Sequence, residues 1–134
     1  MSRERVRRIL VVEDEDPIRE LIALRVDLAG HHAIAVRNGL EALHAINQRM
    51  PDAMILDIGL PAMDGFEILH AIQHNGWTIP TLMLTARHAA QDVKQAIDLG
   101  ARDYLTKPFD GKMFLQKLER LLQPAPPKGA VHYL

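Results

Sequence analysis

Acidic, hydroxyl and ammonium side chains directly follow short apolar segments at four places in the chain: Glu13-Asp14, Asp57, Thr85 and Lys107. Carboxylates that share one crevice repel each other, and a hard divalent cation relieves that repulsion. An all-oxygen site that keeps several waters suits Mg²⁺, with Mn²⁺ as the alternative. A lysine adds a positive charge for an anion, and a threonine adds a hydroxyl donor. If they converge, these residues predict a site for a metal ion together with a phosphate-like group.

Such a site has the parts that phosphoryl transfer requires. That reaction depends chiefly on positioning and on neutralising charge on the transferred oxygens. A carboxylate can act as the nucleophile and form an aspartyl-phosphate. Asp57 is the predicted nucleophile, because it stands alone at the end of the most apolar of these segments.

The elements that position these residues follow from the apolar pattern. Ala53 to Leu56 reads as a buried strand that ends at Asp57, and Pro61 with Asp64-Gly65 turns the chain toward the next helix. In an open parallel sheet, ligands bind in the crevice outside the carboxyl ends of the strands. Asp57 is therefore predicted to stand at a binding edge.

The rest of the chain repeats a strand-then-helix pattern. The other predicted strands are Arg8 to Val12, Ala33 to Val36, Pro80 to Leu84 and Asp103 to Leu105. Helix starts are predicted from capping residues at Asp16-Pro17, Asn38 with Glu41, and Asp64 with Glu67. The last helix is predicted to run from about Asp110 to Leu122. The apolar face predicted for the first helix consists of Ile18, Leu21, Ile22, Leu24 and Leu28. Alternating strands and helices favour an α/β fold, with a doubly wound parallel sheet covered on both faces.

Composition excludes several classes of protein. The 134 residues include no cysteine, so disulfides, thiolate metal sites and cysteine nucleophiles are absent from the sequence. A formal net charge of -1 argues against bulk attraction to nucleic acid or to an anionic membrane. No segment approaches the ~20 apolar residues of a membrane helix. We therefore expect a cytoplasmic protein with no membrane contact and no direct nucleic-acid binding.

Four motifs in this order and spacing resemble the receiver domain of two-component response regulators. They are Val11-Val12-Glu13-Asp14-Glu15, Leu56-Asp57-Ile58-Gly59-Leu60-Pro61-Ala62-Met63-Asp64-Gly65, Leu84-Thr85-Ala86 and Asp103-Tyr104-Leu105-Thr106-Lys107-Pro108-Phe109. The resemblance covers roughly Arg8 to Leu122. It implies a flavodoxin-like (βα)5 fold with strand order 2-1-3-4-5, for which general accounts of doubly wound folds already use a member of this family as the example.

The resemblance also implies roles for individual residues. Asp57 would accept a phosphoryl group from the phosphohistidine of a sensor histidine kinase or a histidine phosphotransfer protein. Asp14 and Asp57 would ligate Mg²⁺ through carboxylates, Gly59 would do so through its backbone carbonyl, and Glu13 would act largely through a bound water. Lys107 would pair with the phosphate, and the Lys107-Pro108 bond is expected to be cis.

The resemblance further implies a signalling module and not an enzyme with a separate substrate. Thr85 would move to bond the phosphate and Tyr104 would turn inward, which makes them the predicted switch pair. The surface formed by the fourth helix, fifth strand and fifth helix would then meet a downstream protein target or a fused output domain. The same surface would allow a phosphorylation-dependent dimer.

Three positions depart from the family's usual pattern. Gly59 removes a side chain two residues after the phosphoacceptor, and Arg87 stands two residues after the switch threonine. By resemblance, these two positions tune the access of water to the phosphoryl group and so its removal. Arg102-Asp103 replaces the Asp-Asp pair typical of regulators that dimerise through this face, which puts such dimerisation in doubt.

Three other classes of protein are alternatives to a receiver domain. A haloacid-dehalogenase-type phosphatase needs an acid two residues after its nucleophile, where this chain has Gly59. A flavodoxin-like electron carrier needs a Ser/Thr/Gly phosphate loop after the first strand, where this chain is acidic. The alternative that stays open is a pseudo-receiver, a constitutive interaction module that is never phosphorylated.

Some polar residues are predicted to have no part in the site. His70 and His74 lie one helical turn apart but lack a third ligand near them in sequence, so a metal site there is not expected. Lys94, Arg102, Lys117 and Arg120 are predicted to decorate a solvated face. We place the receiver domain at residues 1–123 and a Pro-rich tail or linker at 124–134, and the ending slightly favours a complete small protein.

Overall fold

The computed structural model describes residues 5–86 and 90–124. Five strands and five helices alternate along this part of the chain. They are β1 (Arg8–Val12), α1 (Asp16–Leu28), β2 (His32–Val36), α2 (Gly39–Gln48), β3 (Ala53–Asp57), α3 (Gly65–His74), β4 (Thr81–Thr85), α4 (Ala90–Asp98), β5 (Asp103–Thr106) and α5 (Gly111–Leu121).

The strands form one parallel sheet in the order β2-β1-β3-β4-β5. This confirms the predicted doubly wound, flavodoxin-like architecture. The central strand β3 is buried along its whole length, as is β4. Full burial requires cover on both faces of the sheet, which explains why these strands are continuously apolar instead of alternating.

Two hydrophobic cores lie on opposite faces of the sheet. On one face, α1 and α5 contribute Ile22, Val26, Phe114, Leu118 and Leu121. On the other face, α2, α3 and α4 contribute buried residues that pack against alternate positions of the same strands. The alternation of side chains along each strand divides the core in this way.

Capping residues begin three of the helices, and the sequence predicts two of these caps, at Asn38 and Asp64. The Asn38 side chain accepts a hydrogen bond from the Glu41 amide, and the Asp110 side chain accepts one from the Met113 amide. Asp64 and Glu67 form a complete capping box at the start of α3. The first helix differs, because its N-cap is Glu15 and not Asp16, with no side-chain cap hydrogen bond.

The predicted apolar face of α1 is wrong for three leucines. Ile22 and Val26 are fully buried, but Leu21, Leu24 and Leu28 are 42%, 53% and 77% exposed. A helix that lies against one face of a sheet buries only a stripe of residues four apart. The three leucines therefore lie beside that stripe.

No helix in residues 5–86 and 90–124 is both long and apolar enough to cross a membrane. The proposed tail falls almost entirely at residues 125–134, outside the described part of the chain.

Candidate functional site

The carboxyl ends of four strands bring the predicted site residues to one edge of the sheet. Glu13 and Asp14 follow β1, Asp57 ends β3, Thr85 ends β4, and Lys107 follows β5. Glu13 continues the ladder of β1 for one more residue, because its amide donates to the Val36 carbonyl at 3.1 Å. Strand length and parallel pairing thus set the position of the edge.

A buried ammonium lies between two carboxylates at this edge. Lys107 Nζ donates to Glu13 Oε1 at 2.7 Å and to Asp57 Oδ2 at 3.2 Å. The side chains of Glu13, Asp57 and Lys107 are only 0%, 7% and 14% exposed. Charges at this depth must be paired, and this pairing joins residues that are 94 and 50 positions apart in sequence.

Backbone amides hold the other oxygens of the two carboxylates. The Gly59 amide donates to Asp57 Oδ1 at 3.1 Å, and the Glu15 amide donates to Glu13 Oε2 at 3.2 Å. Each carboxylate therefore bonds an amide through one oxygen and the ammonium through the other. The two carboxylates are fixed in direction before any ligand binds.

Burial and pairing together set the pKa values of Glu13 and Lys107. Desolvation raises the pKa of Glu13 from 4.5 to about 7, although the hydrogen bond from Lys107 works against this. Burial also acts to lower the pKa of Lys107, but its hydrogen bond to Glu13 and the charges of Asp57 and Glu13 prevail, so the net pKa is raised. Lys107 is therefore a firmly charged cation at neutral pH.

Asp14 completes a group of three acids that we call the acid cluster: Glu13, Asp14 and Asp57. One carboxylate oxygen of each lies within 4.8 Å of the others. Asp14 is exposed, whereas the other two are buried, so the cluster opens to solvent on the Asp14 side. Three hard oxygen donors at this spacing suit a divalent cation, so these residues can hold a metal ion together.

The segment after Asp57 packs closely under the site. The Gly65 amide donates to the Ile58 carbonyl at 3.0 Å. A Cβ at position 65 would lie 2.8 Å from the Asp57 carbonyl oxygen and 2.9 Å from the Ile58 Cα. Glycine is required there because the first turn of α3 approaches the end of β3 this closely.

Backbone contacts connect Lys107 to the neighbouring strand. Its amide donates to the Thr85 carbonyl at 2.7 Å, and the Lys107-Pro108 bond is cis. The Thr85 residue itself is 1% exposed. The ends of β4 and β5 are thus joined beside the Asp57 carboxylate.

Tyr104 lies apart from the acid cluster, on β5. Lys117 Nζ lies 5.1 Å from the centroid of the Tyr104 ring and donates to Asp103 Oδ1 at 3.0 Å. We call Asp103, Tyr104 and Lys117 the edge group. The side chains of Lys117 and Asp103 are 18% and 21% exposed, so this group is less buried than the Lys107 pairs.

The positions that depart from the family pattern have different surroundings. A Cβ at Gly59 would meet only Asp57 Oδ1, at 3.9 Å, so the space beside the Asp57 carboxylate is open. Arg87 lies outside the described residues. Arg102 donates to the carbonyls of Leu121 and Gln123 at 2.9 and 3.0 Å.

Three basic residues have contacts that the sequence pattern does not predict. Lys117 and Arg102 were predicted to decorate a solvated face, but Lys117 pairs with Asp103 and Arg102 caps the end of α5. Arg19 was not predicted to take part in the site at all, yet it bonds the carbonyls of Glu13 and Asp14. Its position one turn after an acidic loop was the available signal. Among the described residues, His70 and His74 belong to no group of three or more metal-ligating side chains.

Comparisons with known proteins agree with this geometry. The model of the response regulator receiver domain matches residues 9–119. The response regulator MprA of Mycobacterium bovis is 36% identical over 123 residues, which are 92% of this chain and 54% of that protein. The chain therefore spans about half the length of the curated relatives it matches.

Solved structures give the same result. The chemotaxis protein CheY4 of Vibrio cholerae has a TM-score of 0.83 at 29% identity, over 88% of this chain and 100% of that one. The receiver domain of NtrX from Brucella abortus has a TM-score of 0.80 at 34% identity, over 85% and 97% of the two chains. The chain belongs to the response regulator receiver domain family.

Proposed function

We propose that Asp57 accepts a phosphoryl group from a phosphohistidine donor in a Mg²⁺-dependent reaction, and that this event controls a partner through the surface of α4, β5 and α5. The observation that carries the proposal is the Lys107 ammonium, which bonds both Glu13 and Asp57 beside the acid cluster. An anion that arrives at Asp57 meets a cation already in place.

The transfer uses Asp57 as the nucleophile. A carboxylate oxygen of Asp57 forms a bond to phosphorus while the bond from phosphorus to the donor's histidine nitrogen breaks. The electron pair of that bond returns to the imidazole, which takes a proton from water. Lys107 neutralises charge on the transferred oxygens, and the Gly59 amide holds the second carboxylate oxygen in line.

Magnesium fits the donor set of the acid cluster. Asp14 and Asp57 would hold it through carboxylates, Gly59 would hold it through its carbonyl, and Glu13 would act through water. When bound, the ion lowers the repulsion among the carboxylates and the incoming phosphoryl oxygens. The open, exposed position of Asp14 supports this role because magnesium retains several waters.

The output of the switch is assigned to Thr85 and Tyr104. Thr85 bonds the phosphoryl group, and Tyr104 moves inward as the end of β4 shifts. The intermediate burial of Tyr104 supports this assignment, because a side chain that is not fully enclosed can change position at a lower cost in free energy than a core residue. Gly59 and Arg87 tune the access of water to the phosphoryl group.

The partners are a sensor histidine kinase or a phosphotransfer protein upstream, and a protein target or fused output domain downstream. Residues 1–123 form the receiver, and 124–134 form a tail or linker. Arg102 and Asp103 are both occupied within the chain, which supports a protein partner more than a symmetric dimer on this face. The chain is a signalling module that assists only its own phosphorylation and dephosphorylation.

The test uses acetyl phosphate as the donor and intact mass as the measurement. Wild type should gain one phosphate in the presence of Mg²⁺ and none in EDTA. Asp57→Asn should gain none, whereas Asp98→Asn, at an exposed acid on α4, should behave as wild type. If wild type gained no Mg²⁺-dependent phosphate, the chain would be a pseudo-receiver and the proposal would fail.

A further inference from the structure

Arg19 makes three contacts, all with the loop that carries Glu13 and Asp14. Its Nη1 donates to the Glu13 carbonyl at 3.0 Å and to the Asp14 carbonyl at 3.3 Å. Its Nη2 pairs with the Asp16 carboxylate. The Arg19 side chain is only 12% exposed although it stands in the second turn of a surface helix. This guanidinium is therefore committed to the loop and not to solvent.

These bonds fix the backbone on both sides of Asp14. The peptide group before Asp14 is held through the Glu13 carbonyl, and the one after it through the Asp14 carbonyl. The Glu15 amide of that second peptide group also donates to Glu13 Oε2. Two oriented peptide planes determine the direction in which the Asp14 Cβ leaves the chain.

Asp14 depends on this backbone support more than the other two acids do. Glu13 and Asp57 are each held through both carboxylate oxygens by an amide and by Lys107. Within the described part of the chain, the Asp14 carboxylate has no hydrogen bond or ion pair of its own. Its place in the acid cluster is therefore set by the main chain that Arg19 holds.

We propose that Arg19 is a positioning residue for the metal site, acting on Asp14 through the two peptide groups that flank it. The inference rests on the proposed function. Groups that orient metal ligands set affinity because a preorganised ligand loses less freedom on binding. Asp16 balances the guanidinium charge, so Arg19 orients the loop without leaving an unpaired cation near the site.

The test measures Mn²⁺ binding by the electron paramagnetic resonance signal of the free ion. Arg19→Gln should weaken binding about tenfold. Arg19→Lys, which keeps one donor group, should fall between wild type and Arg19→Gln. Arg49→Gln is the matched control, because it removes the same charge from an exposed arginine just after α2, before the start of β3. It should bind as wild type does.

Phosphorylation by acetyl phosphate supplies a second readout. In Arg19→Gln, the Mg²⁺ concentration for half-maximal rate should rise about tenfold, whereas the rate at saturating Mg²⁺ should stay within about twofold of wild type. A general loss of structure would lower the saturated rate as well. That pattern would overturn the inference.

The outcomes separate this inference from the proposed function. If Arg19→Gln binds Mn²⁺ as tightly as Arg49→Gln does, and wild type takes up phosphate, the inference alone is overturned. Wild type that binds no Mn²⁺ and takes up no phosphate would overturn both. If Arg19→Gln does not fold, the Mn²⁺ affinity of Arg19→Lys tests the inference instead. An affinity equal to that of wild type would count against it.

Discussion

Lys107 beside the acid cluster and Lys117 in the edge group each pair with an aspartate, but the two pairs differ in burial. Lys107 bonds Glu13 and Asp57 with side-chain exposures of 0% to 14%, whereas Lys117 bonds Asp103 at 18% and 21%. Electrostatic interactions are strong where water is excluded and weak where it is not. The more deeply buried Lys107 pairs are suited to hold a fixed geometry, and the more accessible edge group is better suited to change.

The largest difference should appear in phosphorylation. Lys107→Met removes the cation beside Asp57, the proposed phosphoacceptor, and should lower the rate with acetyl phosphate about a hundredfold. Lys117→Met makes the same chemical change in the edge group and should leave the rate within about twofold. Initial rates at saturating Mg²⁺ measure both effects. Equal losses of rate in the two variants would contradict the proposed difference between Lys107 and Lys117.

The same two variants should differ in stability. In EDTA at pH 8, Lys107→Met should lower the free energy of unfolding by about 2 kcal/mol, because two buried carboxylates lose their charged partner. Lys117→Met should cost about 0.5 kcal/mol, since its ion pair and its contact with Tyr104 are partly solvated. Urea unfolding gives both values. If Lys117→Met lowered the free energy of unfolding more than Lys107→Met does, burial would not explain the difference between the two ion pairs.

Glu13→Gln should stabilise the metal-free protein by about 1 kcal/mol at pH 8, because it removes one of three neighbouring carboxylates. The effect depends on pH. Since the pKa of Glu13 is raised to about 7, the folded state holds a proton that the unfolded state releases, and wild type loses stability as pH rises from 4.5 to about 7.

The gain from Glu13→Gln should therefore be smaller at pH 5.5 than at pH 8, as measured by urea unfolding in EDTA. Glu20→Gln, at an exposed site on α1, should show no such dependence on pH. A gain that is equal at both values of pH would mean that Glu13 is ionised throughout.

The smallest effect is expected within the edge group. A double-mutant cycle of Asp103→Asn and Lys117→Met should give a coupling energy of about 0.5 kcal/mol or less, because asparagine can still accept from Lys117 and the pair is partly exposed. The cycle is measured by urea unfolding at low and high salt. A coupling above about 1.5 kcal/mol would place the edge group with the buried one.

The sequence determined the fold to a large extent. The elements were predicted from apolar segments that end in polar residues and from capping residues at the starts of helices. The structure differs from these predictions mostly by a residue at the ends of the elements. Local signals suffice there because each element begins and ends through contacts within a few residues. The α1 leucines were misplaced because periodicity does not show how wide a stripe the sheet covers.

The sequence also indicated which residues gather at one edge, because parallel strands deliver their ends together. Only the tertiary structure decided how they are bonded. Lys107 bonds Glu13 as well as Asp57, Arg19 holds the Asp14 backbone, and Lys117 covers Tyr104. Each of these is a contact between elements. Their distances follow from the packing of helices on the sheet, which a pattern along one segment does not contain. Burial, and with it the strength of each charge pair, belongs to the folded molecule alone.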